Sequence, residues 1–458
     1  MKTRIVNWGQ YPEIEANEIE VRTSTQITNA IQSSSGPIIG RGLGRSYGDA
    51  SLSSTVMNGL KRNRFLSFNE QSGQLVCEAG VSLEEILKTF VPKGWFLPVT
   101  PGTKFVTIGG AVASDVHGKN HHVEGSFCRH VNRIRLLLPN GNIVDCSPTV
   151  NVDLFRSTAG GMGLTGFILE VSFYMKKIET SMIRQVSYRA SNLDSMFKLI
   201  DKYDHSTYTV SWMDCLARGS SLGRGILYTG EHASLADLKS TKYSKNQLGL
   251  PKKLPLTVPF NLPSFVLNSF TVSSFNSVLY YSHFQQSKES IVDYDTFFYP
   301  LDFVHNWNRI YGKAGFLQYQ FVLPDATAYD GMVKILNSIS ENKLGSFLVV
   351  FKRCGNPASF AQVGLKRGTP PLFPLSFPMQ GYSLALDFAI QPKLFDFLNK
   401  VDEMVASFGG RVYLTKDARL SAEMLRRTYP AVKEFLAIRK KVDPKHKLQS
   451  LLSKRLHL

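Results

Sequence analysis

Two glycine-rich stretches carry the residue types that could do chemistry. Ile38–Ser51, IIGRGLGRSYGDAS, sets Gly40, Gly42, Gly44 and Gly48 within nine residues, beside Arg41 and Arg45. Glycine tolerates positive φ and lets another group lie close to the backbone. Exposed N–H groups together with arginines make an anion cradle, and the competing reading is a tight turn. Pro98–His122, PVTPGTKFVTIGGAVASDVHGKNHH, has turn chemistry at Pro101-Gly102-Thr103 and a small-residue run from Gly109 to Ser114. His117-Gly118-Lys119, His121 and His122 follow. Small residues there allow a flat or extended ligand to lie along the chain. His121 and His122 are adjacent, which suits one metal ion poorly, so no metal is expected. His117, between small residues, is the histidine expected to face a cofactor or substrate. A third glycine run, GGMGLTG, spans Gly160–Gly166.

Elements must hold these loops. GPIIGRG reads as a buried strand entering the first loop and GQLVCEAG as another strand. VSLEEILKTFVPKG reads as an amphipathic helix, with Ser82 and Glu85 as a capping box and Gly94 as its stop. NRIRLLLPNGNIVDC predicts a hairpin turning at Asn140-Gly141. DLFRSTAGGMGLTGFILEVSFYM predicts a short helix, a glycine turn and a strand. Beyond residue 181, AGFLQYQFVLP, GSFLVVFKRCG and GYSLALDFAI read as strands, and SMFKLIDKYD and YDGMVKILNSISEN as helices. Alternating Gln318 and Gln320 share one strand face, the geometry of a substrate wall and equally of a wet sheet face. Pro251–Ser290 is apolar but broken by prolines; an ordered loop or irregular helices over the core, and a mobile lid that meets lipid, are both open readings.

The bulk numbers bound the class. A chain of 458 residues exceeds one core, and 43% hydrophobic with 19% charged residues is a globular composition. The net charge of +17 is partly clustered, in Lys239–Pro255 and Arg439–Leu458, where a solvated basic surface is the first reading and weak attraction to anionic lipid the next. A basic balance suits nucleic acid, an anionic membrane surface or a phosphorylated substrate. Neither cluster resembles a nucleic-acid-binding motif. Cys77, Cys128, Cys146, Cys215 and Cys354 are odd in number and lack metal-ligand spacing, which suits reduced thiols in the cytoplasm. No signal-like segment and no run of about 18 apolar residues occurs, so any membrane contact is expected to be peripheral, at the inner membrane.

Arg41-Gly42-Leu43-Gly44-Arg45-Ser46, Pro101-Gly102-Thr103, Gly109-Gly110 and Gly160–Gly166 together resemble the FAD-binding domain of the vanillyl-alcohol-oxidase type. GRGLGRSYGDA, DVHGKNHH, GLTG, WNRIYGKAGFLQYQFVLP, FGGRVYLTKDAR and RKKVDP are closer still to the decaprenylphosphoryl-β-D-ribose 2′-oxidase family, over almost the whole length. The resemblance implies an α+β fold: an FAD-binding domain in two parts, 1–181 and 410–458, with an antiparallel-sheet substrate (cap) domain, 182–409, inserted between them. It implies oxidation of the ribose 2′-hydroxyl of a polyprenylphosphoryl sugar. A short-chain-dehydrogenase-type reductase would then complete the epimerisation to the arabinose form for cell-envelope glycan synthesis.

By the same resemblance FAD would be held by Gly40, Arg41, Gly42, Leu43, Gly44, Arg45, Ser46, Tyr47, Gly48 and Asp49. Gly102, Thr107, Ile108, Gly109, Gly110, Ser114, Asp115, Val116, His117, Ile168 and Tyr413 would complete its site. Lys416, His117 and Tyr47 would be the catalytic group, with Lys416 at the flavin–substrate junction. Lys119, Gln318, Gln320, Lys352 and Ala385 would face the substrate. Two departures carry expectations. Arg45 stands where many relatives of the superfamily have the histidine that attaches flavin, so FAD is expected to be non-covalent. Ala385 stands where some members have a cysteine, which implies insensitivity to thiol-directed inhibitors. The alternatives are an oxidase of a free sugar, alditol or aldonolactone, and a non-catalytic basic nucleic-acid-binding protein.

Overall fold

A computed structural model describes residues 2–263, 266–356 and 373–458, so residues 264–265 of the proline-broken stretch lie outside the described residues. Three sheets carry the molecule. The first has four strands, in the order Lys2–Val6, Glu13–Glu20, Thr55–Asn58, Ile38–Arg41, with Thr55–Asn58 parallel to both of its neighbours. Ile38 and Ile39 are buried, and the strand ends where the glycine loop begins. The second is antiparallel: Phe65–Asn69, Gln74–Glu78, Phe167–Tyr174, Val131–Leu137, Ile143–Cys146. The Ser82–Glu85 capping box starts the helix Leu83–Phe90, and Gly94 closes the following turn at φ +78. Gly141, at φ +91, turns the hairpin.

The third sheet has eight strands: Ser287–Asp293, Met182–Ala190, Gly225–His232, Tyr208–Met213, Val349–Cys354, Gly381–Ala389, Phe316–Leu323 and Arg411–Val412. Its strand pairs are antiparallel. Side chains alternate across a strand, so register decides which face each residue joins. Leu384, Leu386, Phe321 and Phe351 go to the face covered by the helices Leu193–Lys202, Asp325–Glu341 and Leu394–Ser407. Gln318 opposite Asp387, Gln320 opposite Ala385, Val350 opposite Ala385 and Trp212, and Lys352 opposite Ser383 share the other face. The sequence division at residue 410 is crossed by hydrogen bonding: Arg411–Val412 pairs with Val322 and Phe321. The chain then returns to the first sheet, where Leu448 bridges Ile38 and Arg455 ion-pairs with Asp49 and Asp417.

The proline-broken stretch contains a regular 14-residue helix, Ser269–Ser282, begun by a reciprocal cap between Asn268 and Thr271. No helix among the described residues is long and apolar enough to cross a membrane. All five cysteines are buried and free of disulfides.

Candidate active site

A cavity of about 1000 Å³ runs from the glycine loop to the open face of the large sheet. Of the expected cofactor residues, Gly40, Arg41, Gly42, Leu43, Gly44, Arg45, Ser46, Tyr47, Gly102, Thr107, Gly109, Gly110, Ser114, Val116, His117, Ile168 and Tyr413 line it. Lys416 and all five expected substrate residues, Lys119, Gln318, Gln320, Lys352 and Ala385, line it as well.

Four expected cofactor residues stand behind the wall instead, each for a packing reason. Gly48 lies so close to the return segment that a Cβ would sit 1.7 Å from the Asp417 carbonyl. Asp49 is turned to Arg455, whose Nη2 lies 2.8 Å away. Ile108 belongs to the hydrophobic core. Asp115 accepts from the Cys128 N–H at 3.0 Å and the Ser376 hydroxyl at 2.5 Å.

Backbone, rather than guanidinium, forms the trough. Arg41 is turned inward onto Asn7, Ser51 Oγ at 3.1 Å and the Val6 carbonyl at 2.7 Å. Arg45 donates to the Leu43 carbonyl at 2.9 Å and lies over the Trp8 ring. Both are lowered from the ordinary arginine range, chiefly by burial. What the loop offers is close approach: a Cβ on Gly42 would meet Thr107 Oγ1 at 2.3 Å. That oxygen caps the helix Ile108–Ala113 by accepting from the Gly110 N–H. Glycine there lets two loops close into one narrow channel.

The return segment delivers the polar centre. Tyr413 N–H donates to the Gln320 carbonyl, and Tyr47 N–H donates to the Thr415 carbonyl. The turn that follows lays Lys416 Nζ 3.7 Å from the centre of the Tyr47 ring. Burial lowers the Lys416 amine below its ordinary range; Asp387 acts against this and Lys352 with it. Gln320 Nε2 donates to His117 Nε2 at 2.9 Å, and His117 is held neutral, pushed well down first by burial and then by Lys352. His117 Nδ1 is buried with no partner among the described residues. Tyr413 packs against the His117 ring and donates its hydroxyl to the Ser114 carbonyl. A donor without an acceptor, walled by aromatic rings and joined to a Cβ-free trough, fits a flat heteroaromatic group with an anionic linker. FAD is such a group.

Two further lysines line the same cavity. Burial lowers Lys119 to about 7 and Lys352 to about 8. Lys119 donates to the Phe297 carbonyl and lies over its ring, and Lys352 reaches the Gly118 carbonyl at 3.5 Å. Among the described residues no cluster of His, Cys, Asp or Glu is arranged to hold a metal ion.

Comparison with known proteins agrees with this geometry. Residues 19–147 match a family described as FAD binding domain, and residues 386–456 match D-arabinono-1,4-lactone oxidase. A decaprenylphosphoryl-β-D-ribose oxidase of Mycolicibacterium smegmatis is 36% identical over 99% of this chain and 97% of its own length. The chain belongs to that oxidase family. It is an FAD-dependent oxidoreductase. An uncharacterised Streptomyces coelicolor protein is 31% identical over 82% of this chain and all of its own. The L-gulonolactone oxidase of Mus musculus is 28% identical over 30% of this chain and 32% of its own.

Within this oxidase the sequence reading missed Asp387 and Tyr311. The Asp387 carboxylate is buried, accepting from Gln318 Nε2 at 2.6 Å and the Tyr311 hydroxyl at 3.2 Å. Burial raises it well above the ordinary carboxylate range, with Gln318 and Lys416 opposing. The signal was present in GYSLALDFAI: Ser383, Ala385 and Asp387 have one parity, so the carboxylate must share the face of Ala385.

Proposed function

We propose that this oxidase removes hydride from the 2′-carbinol carbon of a polyprenylphosphoryl-β-D-ribose, giving the 2′-keto sugar. A separate reductase of the short-chain dehydrogenase type would complete the epimerisation to the arabinose form. The observation that carries the reading is one wall: Gln318, Gln320, Ala385, Lys352 and Lys416 face a single cavity that continues into the glycine trough. Bound FAD supplies the two-electron acceptor. The protein's share is orientation and proton management. Gln318 and Gln320 offer amides to sugar hydroxyls, and the uncharged fraction of Lys416 takes the carbinol proton. Lys119 and Lys352, when protonated, pair with the phosphate. His117, Tyr413 and the trough would hold the flavin without a covalent bond, because Arg45 is no flavin nucleophile.

The test is the visible spectrum of the purified protein, recorded without oxygen before and after adding polyprenylphosphoryl ribose. Bleaching of the flavin band near ~450 nm supports cofactor and substrate together. Acid precipitation should leave all the flavin in the supernatant. The second reading, oxidation of a free sugar, alditol or aldonolactone, is favoured by the match of residues 386–456 to D-arabinono-1,4-lactone oxidase. Bleaching by a soluble lactone or alditol, with the lipid sugar inert, would establish it.

A further inference from the structure

From Lys239 to Lys288, fifty residues, the chain has six lysines and no aspartate or glutamate. Nine of the eighteen large apolar side chains that stand exposed among the described residues lie in the same stretch. Leu254, Phe270 and Phe284 are 89%, 78% and 77% exposed. Scattered exposed apolar residues need no explanation, but a concentration like this does.

The helix Ser269–Ser282 shows that the exposure is built in. Its buried positions, Val272, Asn276 and Tyr280, recur every four residues. Asn276 Nδ2 donates inward to Asp214 at 2.9 Å, and Arg224 holds the same carboxylate at 2.8 Å. The helix thus turns an amide into the protein and directs Phe270, Val278 and Tyr281 outward. Rotation to hide the aromatic side chains would break a buried hydrogen bond to a charged group, which is costly.

This surface is continuous with the active-site cavity on two sides. Leu279 and His283 line the cavity from the helix end. The exposed pair Leu256–Thr257 runs parallel to Val304–His305, and both of the latter line the cavity. Lys253 pairs with Asp293 at 3.5 Å, while Lys239, Lys242, Lys245, Lys252 and Lys288 are exposed. Exposed cations in the same stretch as an apolar aromatic surface complement an anionic bilayer.

We infer that the Lys239–Lys288 surface docks on an anionic lipid bilayer, with the outer face of the helix Ser269–Ser282 among the acyl chains and its lysines on the headgroups, so that the cavity rim rests on the membrane. Its purpose rests on the lipid-linked-substrate reading; the binding itself does not.

The experiment is flotation of the FAD-loaded full chain with phosphatidylglycerol-containing vesicles, and with phosphatidylcholine vesicles alone. The expected result is binding to the anionic vesicles that weakens with salt. The double variant Phe270→Ser/Val278→Ser should lose at least about tenfold in partitioning, with unfolding temperature and flavin spectrum unchanged. A Phe270→Trp variant should shift its emission to the blue and be quenched by brominated lipid. Failure of the parent to bind anionic vesicles, or equal binding by the double variant, overturns the inference. So does a dimer, seen by sedimentation, that the double variant dissociates while vesicles are ignored. Vesicle binding without flavin bleaching by polyprenylphosphoryl ribose would leave docking standing and reject the substrate. Bleaching without vesicle binding would do the reverse.

Discussion

Lys416 exchanges water for the face of Tyr47, and that exchange shapes its chemistry. Cation–π contact compensates only part of lost hydration, so the amine gives up its proton more readily than a surface lysine. Lys416→Met should lower the rate of flavin reduction by about 10²–10⁴-fold with flavin content unchanged, read by anaerobic stopped flow. Asp387, coupled to Lys416 by charge, opposes the loss of the proton. Removing its charge in Asp387→Asn leaves Lys416 facing Lys352 alone, so the amine is neutral at lower pH. The acid limb of flavin reduction should therefore move to lower pH, whereas a merely structural effect would lower the plateau and leave the limb in place. Lys352 has the opposite sign. It is a cation below about 8, so, on the proposed function, KM for polyprenylphosphoryl ribose should rise as pH climbs through that value. Lys352→Met should flatten that rise.

At the level of elements, the strands that carry the site were plain in the sequence and the helix Ser269–Ser282 was not. Gln318 and Gln320 stand two apart in an apolar run, so their shared face follows from pleating alone. The helix alternates serine with large apolar residues and has apolar positions on both sides, so no 3.6-residue stripe marks it. Its local signal was Asn268 followed by Thr271, the cap that starts it. The site face of Asp387 was likewise legible by parity, but its partner Tyr311 comes from a short turn, Trp307–Tyr311, that no period predicts. The glycine loop is an element whose function depends on absent atoms. Gly42→Ala would drive its methyl into Thr107 and displace the cap on the helix Ile108–Ala113. The cap is worth about 0.5–2 kcal/mol. The measurable outcome is flavin loss on gel filtration under conditions where the parent stays yellow.

Across the whole molecule, the motifs imply a three-part order of the chain, while contacts between distant segments depend on pairings that no local pattern reports. Arg455, close to the last residue, reaches back to Asp49 at the end of the glycine loop and to Asp417 beside Lys416. Both carboxylates are almost fully buried, with side chains 4% and 2% exposed. Arg455→Met would strand two like charges together, at a cost of about 3–5 kcal/mol for breaking a buried pair. A lowered unfolding temperature, partly restored by excess FAD, is the expected calorimetric result.

The small edge strand Arg411–Val412 has a consequence for anyone recombining these oxidases. It is stitched to Phe321 and Val322, four residues before Lys416, the lysine proposed to take the carbinol proton. A chimaera that exchanges substrate specificity by splicing at residue 410 would separate a sheet from its own border. It would also hand the orientation of Lys416 to a foreign scaffold. Viable crossovers should instead fall where the chain has left that sheet, beyond Asp417, so that heritable units of specificity in this family include the lysine and its strand together.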